Sequence, residues 1–232
     1  MENKSVILFF ARTATAEMQV KKLCSKRESI NNQLHHFLYK KSLTELYKTG
    51  LPVFVCDESK QQGNNFGSRI HNAIQACFNN GYNSVITVGS DCPELKAEDI
   101  LHCHRELNKG NNVLGPDNRG GIYLMGIQQN FFSVIDLLHI EWNSTKVLSQ
   151  LKSSFLNSST DIYLLNTLTD VNSQKDFFYL FKQAANNIFL IILHDILHSK
   201  SLHFLLIQHF ISPLQFLANK KFRGPPTMFL YA

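Results

Sequence analysis

The sequence predicts an α/β fold, with a mostly parallel sheet covered by helices, because two patterns alternate along it. Short runs of continuously apolar residues recur over the first 185 residues, and amphipathic segments with helical spacing separate them. Apolar strands without polar alternation are buried on both faces, which is typical of parallel sheets covered by helices. With 232 residues, of which 44% are hydrophobic, the chain can form one large domain with a sizeable core.

The elements are predicted in a regular order. The first strand covers 6–10, and the segment 30–48 follows either as one long helix or as two short helices. Ser42 and Glu45 have the spacing of a capping box, which favours a helix beginning there. The other predicted strands are 52–56, 84–88, 112–114, 122–127 and 161–165, and the other predicted helices are 66–79, 97–108, 145–155 and 174–185.

The alternation stops after residue 185, which predicts a domain over 1–185 and an apolar helical C-terminal extension over 186–232. His194, Asp195 and further polar residues interrupt the apolar run of the extension, and Pro213 breaks its helical pattern. We therefore expect no transmembrane segment there. Helices this apolar must pack on the domain, on a membrane surface or on a second copy of the chain, and the last alternative predicts a homodimer.

Charge and cysteine content exclude several classes of protein. The chain has 23 basic and 18 acidic residues, a net charge of +5, and no block of like charges. A nucleic-acid partner is therefore not expected. Its five cysteines include no CxxC pair, and no secretory signal precedes the first strand. These features predict a reduced, cytoplasmic protein.

Asp91 is the strongest candidate for chemistry that the pattern alone provides. It lies in a Gly-Ser-Asp-Cys-Pro turn directly after the apolar strand 84–88. In open α/β sheets the ligand crevice lies at the carboxyl ends of the strands, where a carboxylate can hold Mg²⁺ or Mn²⁺ against a phosphate. The alternative is that Asp91 caps the following helix, and the pattern alone leaves both alternatives open.

Two further loops are rich in glycine and polar residues. The loop 61–69 begins a helix, so its backbone N–H groups and Arg69 are candidates for binding an anion. The loop 114–121 contains Gly120 and Gly121, which allow a backbone to approach a ligand closely or simply form a hairpin. For the loop 61–69 the alternative is a flexible surface loop, with Arg69 on a solvated helix face.

Several motifs stand in a fixed order between residues 5 and 182. They are Gln62-Gly63 with Phe66-Gly67 and Arg69, the turn 89–93, Gly115-Pro116 with Gly120-Gly121, Trp142 with Ser144-Thr145, and Asp170 with Asn172 and Asp176. In this order they resemble the DUF2064 family of radical-SAM/selenodomain-associated transferases, within the GT-A-like nucleotide-diphospho-sugar transferase superfamily. The resemblance implies a three-layer GT-A-like, or Rossmann-like, fold.

The resemblance also implies a metal-dependent transferase with Mg²⁺ or Mn²⁺ as its cofactor. Asp91 is similar to the metal carboxylate of the superfamily, and Asn172 or Asp170 to a second ligand from a later loop. Asp91 and Asp170 are thereby the catalytic candidates, with Asp91 and Asn172 as metal ligands. Gln62 is similar in placement to a glutamine that reads the donor base. The remaining positions implied for nucleotide or phosphate binding are Arg12, Gly63, Arg69, Gly120 and Gly121.

The chain departs from the family pattern at several site positions. A glutamate replaces the phosphate-loop glycine, a valine replaces its lysine, and an arginine replaces the aspartate of the Asp-Gly-Gly motif. A glutamate beside a phosphate is repulsive. Lys21 and Lys22 stand next to the missing lysine, on other faces of the predicted helix. The substituted positions are Glu17, Val20, Arg119 and, with a milder change, Asn172.

Together these features predict a glycosyltransferase that takes a nucleotide-diphospho-sugar and an unidentified small-molecule acceptor. A nucleotidyltransferase using a nucleoside triphosphate on the same scaffold is the alternative. The departures favour a third possibility, a catalytically weakened nucleotide-binding or scaffold protein. Asp91 with Asp170 or Asn172 in one open cleft would support an enzyme, whereas an Arg119 ion pair across that cleft would oppose it.

Overall fold

The computed structural model describes residues 4–24, 28–157 and 162–183. The predicted extension over 186–232, with its helices and homodimer, lies outside the described residues. No helix in the described part of the chain combines the length and apolar character needed to cross a membrane. The elements are β1 (Ser5–Phe10), α1 (Ala14–Val20), α2 (Glu28–Lys48), β2 (Val53–Cys56), α3 (Phe66–Asn79), β3 (Ser84–Val88), α4 (Ala97–Asn108), β4 (Asn112–Pro116), β5 (Ile122–Gln128), α5 (Gln129–Phe132), α6 (Val147–Asn157), β6 (Ile162–Leu164) and α7 (Gln174–Gln183).

The described strands form a six-stranded sheet in the order β2-β1-β3-β5-β4-β6. Strand β1 pairs in parallel with β2 and β3, and β4 pairs in parallel with β6. Strand β5 runs antiparallel to both β3 and β4. The connection 117–121 is too short for a parallel crossover, so β4 and β5 must form a hairpin. The predicted α/β class with a mostly parallel sheet is confirmed.

Both faces of the sheet are buried, as the apolar strands predict. Val6, Leu8 and Phe10 of β1 face a hydrophobic cluster that contains residues of α3 and α6. Ile7 and Phe9 point the other way, into a cluster with residues of α2 and α4. Because side chains alternate along a strand, a strand apolar at every position supplies both layers at once. The sheet is therefore the middle of three layers.

Helix α2 is continuous, so the capping box predicted at Ser42 is wrong. Ser42 is buried in the middle of this helix, and Leu34 and Leu46 on either side of it have no exposed surface. Continuous burial of this kind stabilises one long helix over two short ones. Glu45 caps a different helix, because its carboxylate accepts a hydrogen bond of 3.1 Å from the Ala97 N–H at the start of α4.

Two buried polar residues of α2 hold the chain segment that follows α1. Asn31 Oδ1 accepts hydrogen bonds from the backbone N–H groups of Leu23 and Cys24, at 2.7 and 3.1 Å. One turn later, His35 Nε2 lies 2.9 Å from the Lys21 carbonyl, which requires the Nε2–H tautomer or the imidazolium. Burial lowers the pKa of His35, which favours the neutral ring. These contacts fix the backbone from which the Lys21 side chain departs.

Replacing Asn31 with Ala should destabilise the protein by about 2–3 kcal/mol, because two N–H groups would lose their acceptor. The free energy of unfolding in urea measures this effect. Asn32→Ala is the matched control, since the Asn32 Oδ1 atom has no hydrogen-bond partner in the described part of the chain. That variant should keep the wild-type stability or gain slightly, because Ala has the higher helix propensity. Equal effects of the two substitutions would contradict the assignment.

Candidate active site

A cleft of about 650 Å³ opens at the carboxyl edge of the sheet. Its walls come from the segments after β1 and β3, from the start of β5 and from the loop after β6. This is the position at which open α/β sheets bind their ligands. The sequence-predicted site residues that line the cleft are Arg12, Arg69, Asp91, Gly121, Asp170 and Asn172.

Carboxylates from the ends of three strands meet in this cleft. Asp91 follows β3, Asp117 follows β4 and Asp170 follows β6. The backbone joins their loops, since the Val171 N–H donates to the Asp91 carbonyl at 2.8 Å and Asp117 forms a β-bridge with Leu168. The fold therefore concentrates negative charge at one edge of the sheet.

Asp170 is strongly perturbed by these surroundings. Its Oδ1 atom is shielded from solvent and has no hydrogen-bond partner among the described residues. Burial, followed by the charges of Asp91 and Asp117, raises the pKa of Asp170 to about 8, while Lys21 and Arg119 act in the opposite direction. A buried carboxylate oxygen without a donor marks a position where a cation would relieve an electrostatic cost.

The residues at this position fit a divalent cation that the substrate helps to bind. In the described part of the chain, no group of three or more His, Cys, Asp and Glu side chains is arranged to hold a metal by itself. Mg²⁺ is commonly bound by one or two carboxylates together with substrate phosphates and water. Asp91 and Asp170 would supply the carboxylates. Asn172 lines the same cleft, and its backbone is fixed by a 2.8 Å hydrogen bond to Asp176 Oδ2.

Lys21 reaches into the cleft and pairs with Asp91. Its Nζ atom lies 2.8 Å from Asp91 Oδ1, and its side chain is only 11% exposed. The sequence placed Lys21 on a diverging helix face, and this expectation is wrong because α1 ends at Val20. Lys21 has extended backbone angles, so helical geometry does not determine its direction. Lys22, by contrast, is exposed.

The carboxylate of Glu17, expected to repel a phosphate, is paired with Arg12. Arg12 Nη1 donates to Glu17 Oε2 at 3.2 Å, and both residues line the cleft. The Glu17 side chain is 17% exposed and that of Arg12 is 38% exposed, so the pair lies partly away from water. The substitution of the family glycine by Glu17 therefore adds no uncompensated negative charge here.

Arg69 combines with aromatic rings on the α3 side of the cleft. Its Nε atom is buried and has no hydrogen-bond partner among the described residues. Phe66 lies one turn earlier in α3, with its ring centroid 4.9 Å from that of Trp142. The indole Nε1–H of Trp142 donates to the Leu137 carbonyl at 3.0 Å, which fixes the ring. This part of the cleft offers a cationic group beside flat apolar surfaces.

Arg119 binds to the loop after β6. Its Nη1 atom lies 3.2 Å from Asp176 Oδ2, and its Nη2 atom donates to the Asp170 carbonyl at 3.1 Å. Asp176 is not among the residues that line the cleft. Arg119 does line the cleft, so the ion pair leads away from the cleft wall and ties the turn 117–121 to the start of α7.

Gly120 and Gly121 shape the turn between β4 and β5. Gly120 has a φ of 84°, and a Cβ atom there would collide with the Thr145 carbonyl, so the position requires glycine. The close approach at Gly120 is therefore made to another part of the chain, and Leu148 N–H donates to the Gly120 carbonyl at 2.9 Å. Gly121 lines the cleft, whereas Gly120 does not.

Gln62 and Gly63 also lie outside the lining of the cleft. Gln62 is exposed, and its carbonyl accepts a 3.0 Å hydrogen bond from Asn72 Nδ2. Gln61 lines the cleft, with its side-chain amide donating to the Cys56 carbonyl at 3.1 Å. The base-reading role of Gln62 and the phosphate-binding roles of Gly63, Gly120 and Gly121 remain predictions.

Asp117 also lines the cleft, although it was not among the site residues predicted from the sequence. Its Oδ1 atom accepts hydrogen bonds from the N–H groups of Arg119 and Gly121, each at 2.7 Å, which fixes the turn. The sequence contained a signal for it, because Asp117 follows a buried strand just as Asp91 does. The same rule for strand ends would have placed both carboxylates at one edge.

The fold and the site define an open α/β protein with a charged cleft at the carboxyl edge of its sheet. A family model described as "Uncharacterized protein conserved in bacteria (DUF2064)" matches residues 36–144 and confirms the resemblance predicted from the motifs. No curated protein matches the chain. The matched segment includes the candidates Gln62, Gly63, Arg69, Asp91, Gly120 and Gly121, whereas Arg12, Asp170 and Asn172 lie outside it.

Solved structures share the fold. A candidate nucleotide-diphospho-sugar transferase from Desulfovibrio desulfuricans G20 superposes with a TM-score of 0.68 at 20% identity, covering 83% of this chain and 95% of that one. A 4-diphosphocytidyl-2C-methyl-D-erythritol synthase from Anaerococcus prevotii superposes with a TM-score of 0.50 at 10% identity, covering 78% of this chain and 100% of that one. The predicted GT-A-like architecture is confirmed by these likenesses.

Asp170→Asn should stabilise the protein at neutral and alkaline pH. The pKa of Asp170 is raised from 3.8 to about 8 on folding, so the folded state retains a proton that the unfolded state has lost. The stability that the neutral carboxyl contributes is fully present below pH 3.8, the pKa of the unfolded state. It is lost as the pH rises through about 8, the pKa of the folded state. Relative to the variant, the wild type should lose at most about 1.4 kcal/mol of stability per pH unit across that window.

Urea unfolding of both proteins between about pH 5 and pH 8 measures this difference. Asp57→Asn is the control, because a hydrogen bond from the Ser59 side chain lowers the pKa of Asp57, which is therefore ionised throughout this range. The Asp57 contribution is lost only as the pH falls through its lowered pKa, below this range, so the stability difference at position 57 should stay constant. A stability difference at position 170 that did not change with pH would show that the carboxyl is already ionised.

Proposed function

We propose that this protein is a divalent-metal-dependent transferase that uses a nucleotide-activated donor, with glycosyl transfer from a nucleotide-diphospho-sugar as its reaction. The observation that supports this most directly is the shielded, unpaired Oδ1 atom of Asp170, which lies in a cleft also lined by Asp91 and by basic side chains. Carboxylates alone would repel a phosphorylated ligand. Carboxylates with a divalent cation and with basic groups attract one.

The charged residues suit a diphosphate. Arg12, Lys21 and Arg69 line the same cleft as the carboxylates, so phosphate oxygens there would meet guanidinium and ammonium donors. Mg²⁺ or Mn²⁺ on Asp91, with Asp170 or Asn172 as a further ligand, would neutralise charge on the leaving group. Arg12 and Arg69 would orient the phosphates, since a guanidinium can donate two parallel hydrogen bonds to one phosphate.

The apolar rings suit the uncharged part of the donor. Phe66 and Trp142 form a tilted pair within the cleft, and Phe10 contacts Phe66 edge-on at 5.6 Å. Sugars and bases commonly pack on aromatic faces of this kind. The donor would thus lie with its phosphates at the carboxylates and its ring on the aromatic side. The acceptor is a small molecule whose identity the lining residues do not specify.

Nucleotidyl transfer is the alternative on the same scaffold. It would use the same carboxylates and basic residues, but pyrophosphate would leave instead of a nucleoside diphosphate. We prefer glycosyl transfer because the family resemblance implies a nucleotide-diphospho-sugar donor. Both reactions need charge stabilisation at a leaving phosphate group, which is the property that the cleft residues would provide.

A nucleotide-binding protein without catalysis is a second candidate, favoured by two contacts. Lys21 forms an ion pair with Asp91, the proposed metal ligand. Arg119 replaces the family aspartate and forms an ion pair with Asp176. Arg119 lines the cleft but its partner Asp176 does not, so this ion pair does not join two cleft-lining residues, which favours the enzyme. Product analysis separates the candidates: released nucleoside diphosphate indicates glycosyl transfer, pyrophosphate indicates nucleotidyl transfer, and binding without product indicates the second candidate.

Thermal unfolding with nucleoside triphosphates and nucleotide sugars, with and without Mn²⁺, tests the donor site. A ligand at a hundredfold over its dissociation constant should stabilise the protein by about 2.7 kcal/mol. We expect a metal-dependent shift with one base, abolished in Asp91→Asn and retained in Asp136→Asn. Asp136 is the matched control, because it is exposed, pairs with His139 and does not line the cleft. No shift with any nucleotide would contradict the proposal.

A further inference from the structure

The position of Lys21 extends the proposed function, on which the following inference rests. Its Nζ atom lies 2.8 Å from Asp91 Oδ1 in a side chain that is 11% exposed, whereas Asp91 itself is 34% exposed. The ammonium makes this ion pair but no hydrogen bond of good angular geometry within the described residues. It therefore acts as a shielded compensating charge on a side chain that lines the cleft.

The backbone around Lys21 is held firmly, so the ammonium stays close to the carboxylates. The Lys21 N–H donates to the Glu17 carbonyl at 2.9 Å, and the Lys21 carbonyl accepts from His35. Asn31 Oδ1 accepts from the N–H groups of Leu23 and Cys24, two and three residues further along the chain. With the main chain fixed by these bonds, only the side-chain torsions of Lys21 remain to move its charge within the cleft.

The same ammonium compensates more than one carboxylate. Lys21 lowers the pKa of Asp170, which Asp91 and Asp117 raise. An ammonium among these side chains occupies the electrostatic position that a divalent cation would take. A metal ion that bound alone would have to displace Lys21 from Asp91 and leave that ammonium shielded and unpaired, which is costly.

We propose that Lys21 is an internal counter-ion that keeps Asp91 from binding a divalent cation until the phosphates of a nucleotide donor attract the ammonium away. In this exchange Lys21 moves from Asp91 to a phosphate oxygen, and Asp91 becomes free for the metal. Metal and donor therefore bind cooperatively, and each raises the affinity of the other by the same factor. Lys21 thus selects a phosphorylated donor together with its metal.

Mn²⁺ titrations of the full chain test the exchange, with free Mn²⁺ measured by electron paramagnetic resonance. Without nucleotide, Lys21→Met should bind Mn²⁺ at least tenfold more tightly than wild type. Lys22→Met is the matched control, because it removes the same charge from the adjacent, exposed position and should behave as wild type. Lys21→Arg keeps a cation at the position and should also bind Mn²⁺ as weakly as wild type.

Addition of the nucleotide that gives the largest thermal shift provides the second half of the test. Wild type should then gain at least tenfold in Mn²⁺ affinity, and Lys21→Met should gain much less because its Asp91 is already free. If Lys21→Met unfolds at a lower temperature, Mn²⁺ alone should raise its Tm by more than it raises the Tm of wild type.

The failure of this inference is distinguishable from failure of the proposed function. If Lys21→Met binds Mn²⁺ no more tightly than wild type, while Asp91→Asn abolishes nucleotide-dependent Mn²⁺ binding, the counter-ion role is wrong and the metal site stands. If Asp91→Asn leaves Mn²⁺ binding unchanged, the metal assignment fails and the exchange fails with it. Tighter binding in Lys22→Met would also overturn the inference, because general charge removal would then explain the effect.

Discussion

Mutual repulsion among the carboxylates of Asp91, Asp117 and Asp170 is the constraint on which the rest of the site depends. The parallel strands bring their carboxyl ends to one edge, and the backbone bonds between the loops prevent these residues from moving apart. A proton on Asp170 and neighbouring cations therefore balance them. Lys21 and Arg119 both line the cleft, and both lower the pKa of Asp170. Under the proposed function, a divalent cation that binds with a phosphorylated ligand would replace part of this balance.

The layers of the fold could be predicted from the sequence because strands buried on both faces are apolar at every position. The apolar run 6–10 predicts a strand that is covered on both faces. The side chains of β1 confirm this, because they point alternately into the two hydrophobic clusters. The capping box at Ser42 failed for a related reason. Local spacing there competes with the burial of Leu34 and Leu46 along one continuous helix, and the tertiary packing dominates the weaker local signal.

The site was less predictable, because its contacts join segments that are distant in sequence. Asp91 could be found from the strand before it, but its pairing with Lys21 depends on where α1 ends and on Asn31 and His35 of α2. Spacing along a helix says nothing about a lysine just beyond the last turn. Gly120 illustrates the same limit, since its positive φ serves a contact with Thr145 that no local pattern reveals.

Anomalous diffraction from a crystal containing Mn²⁺ and the nucleotide chosen by thermal shift tests the central claim most directly. The account predicts a manganese peak within coordination distance of the Asp91 carboxylate, with Lys21 on a phosphate oxygen and with Asp170 or Asn172 completing the protein ligands. A nucleotide bound with its phosphates away from these carboxylates, or Lys21 still paired with Asp91 while manganese binds elsewhere, would contradict it.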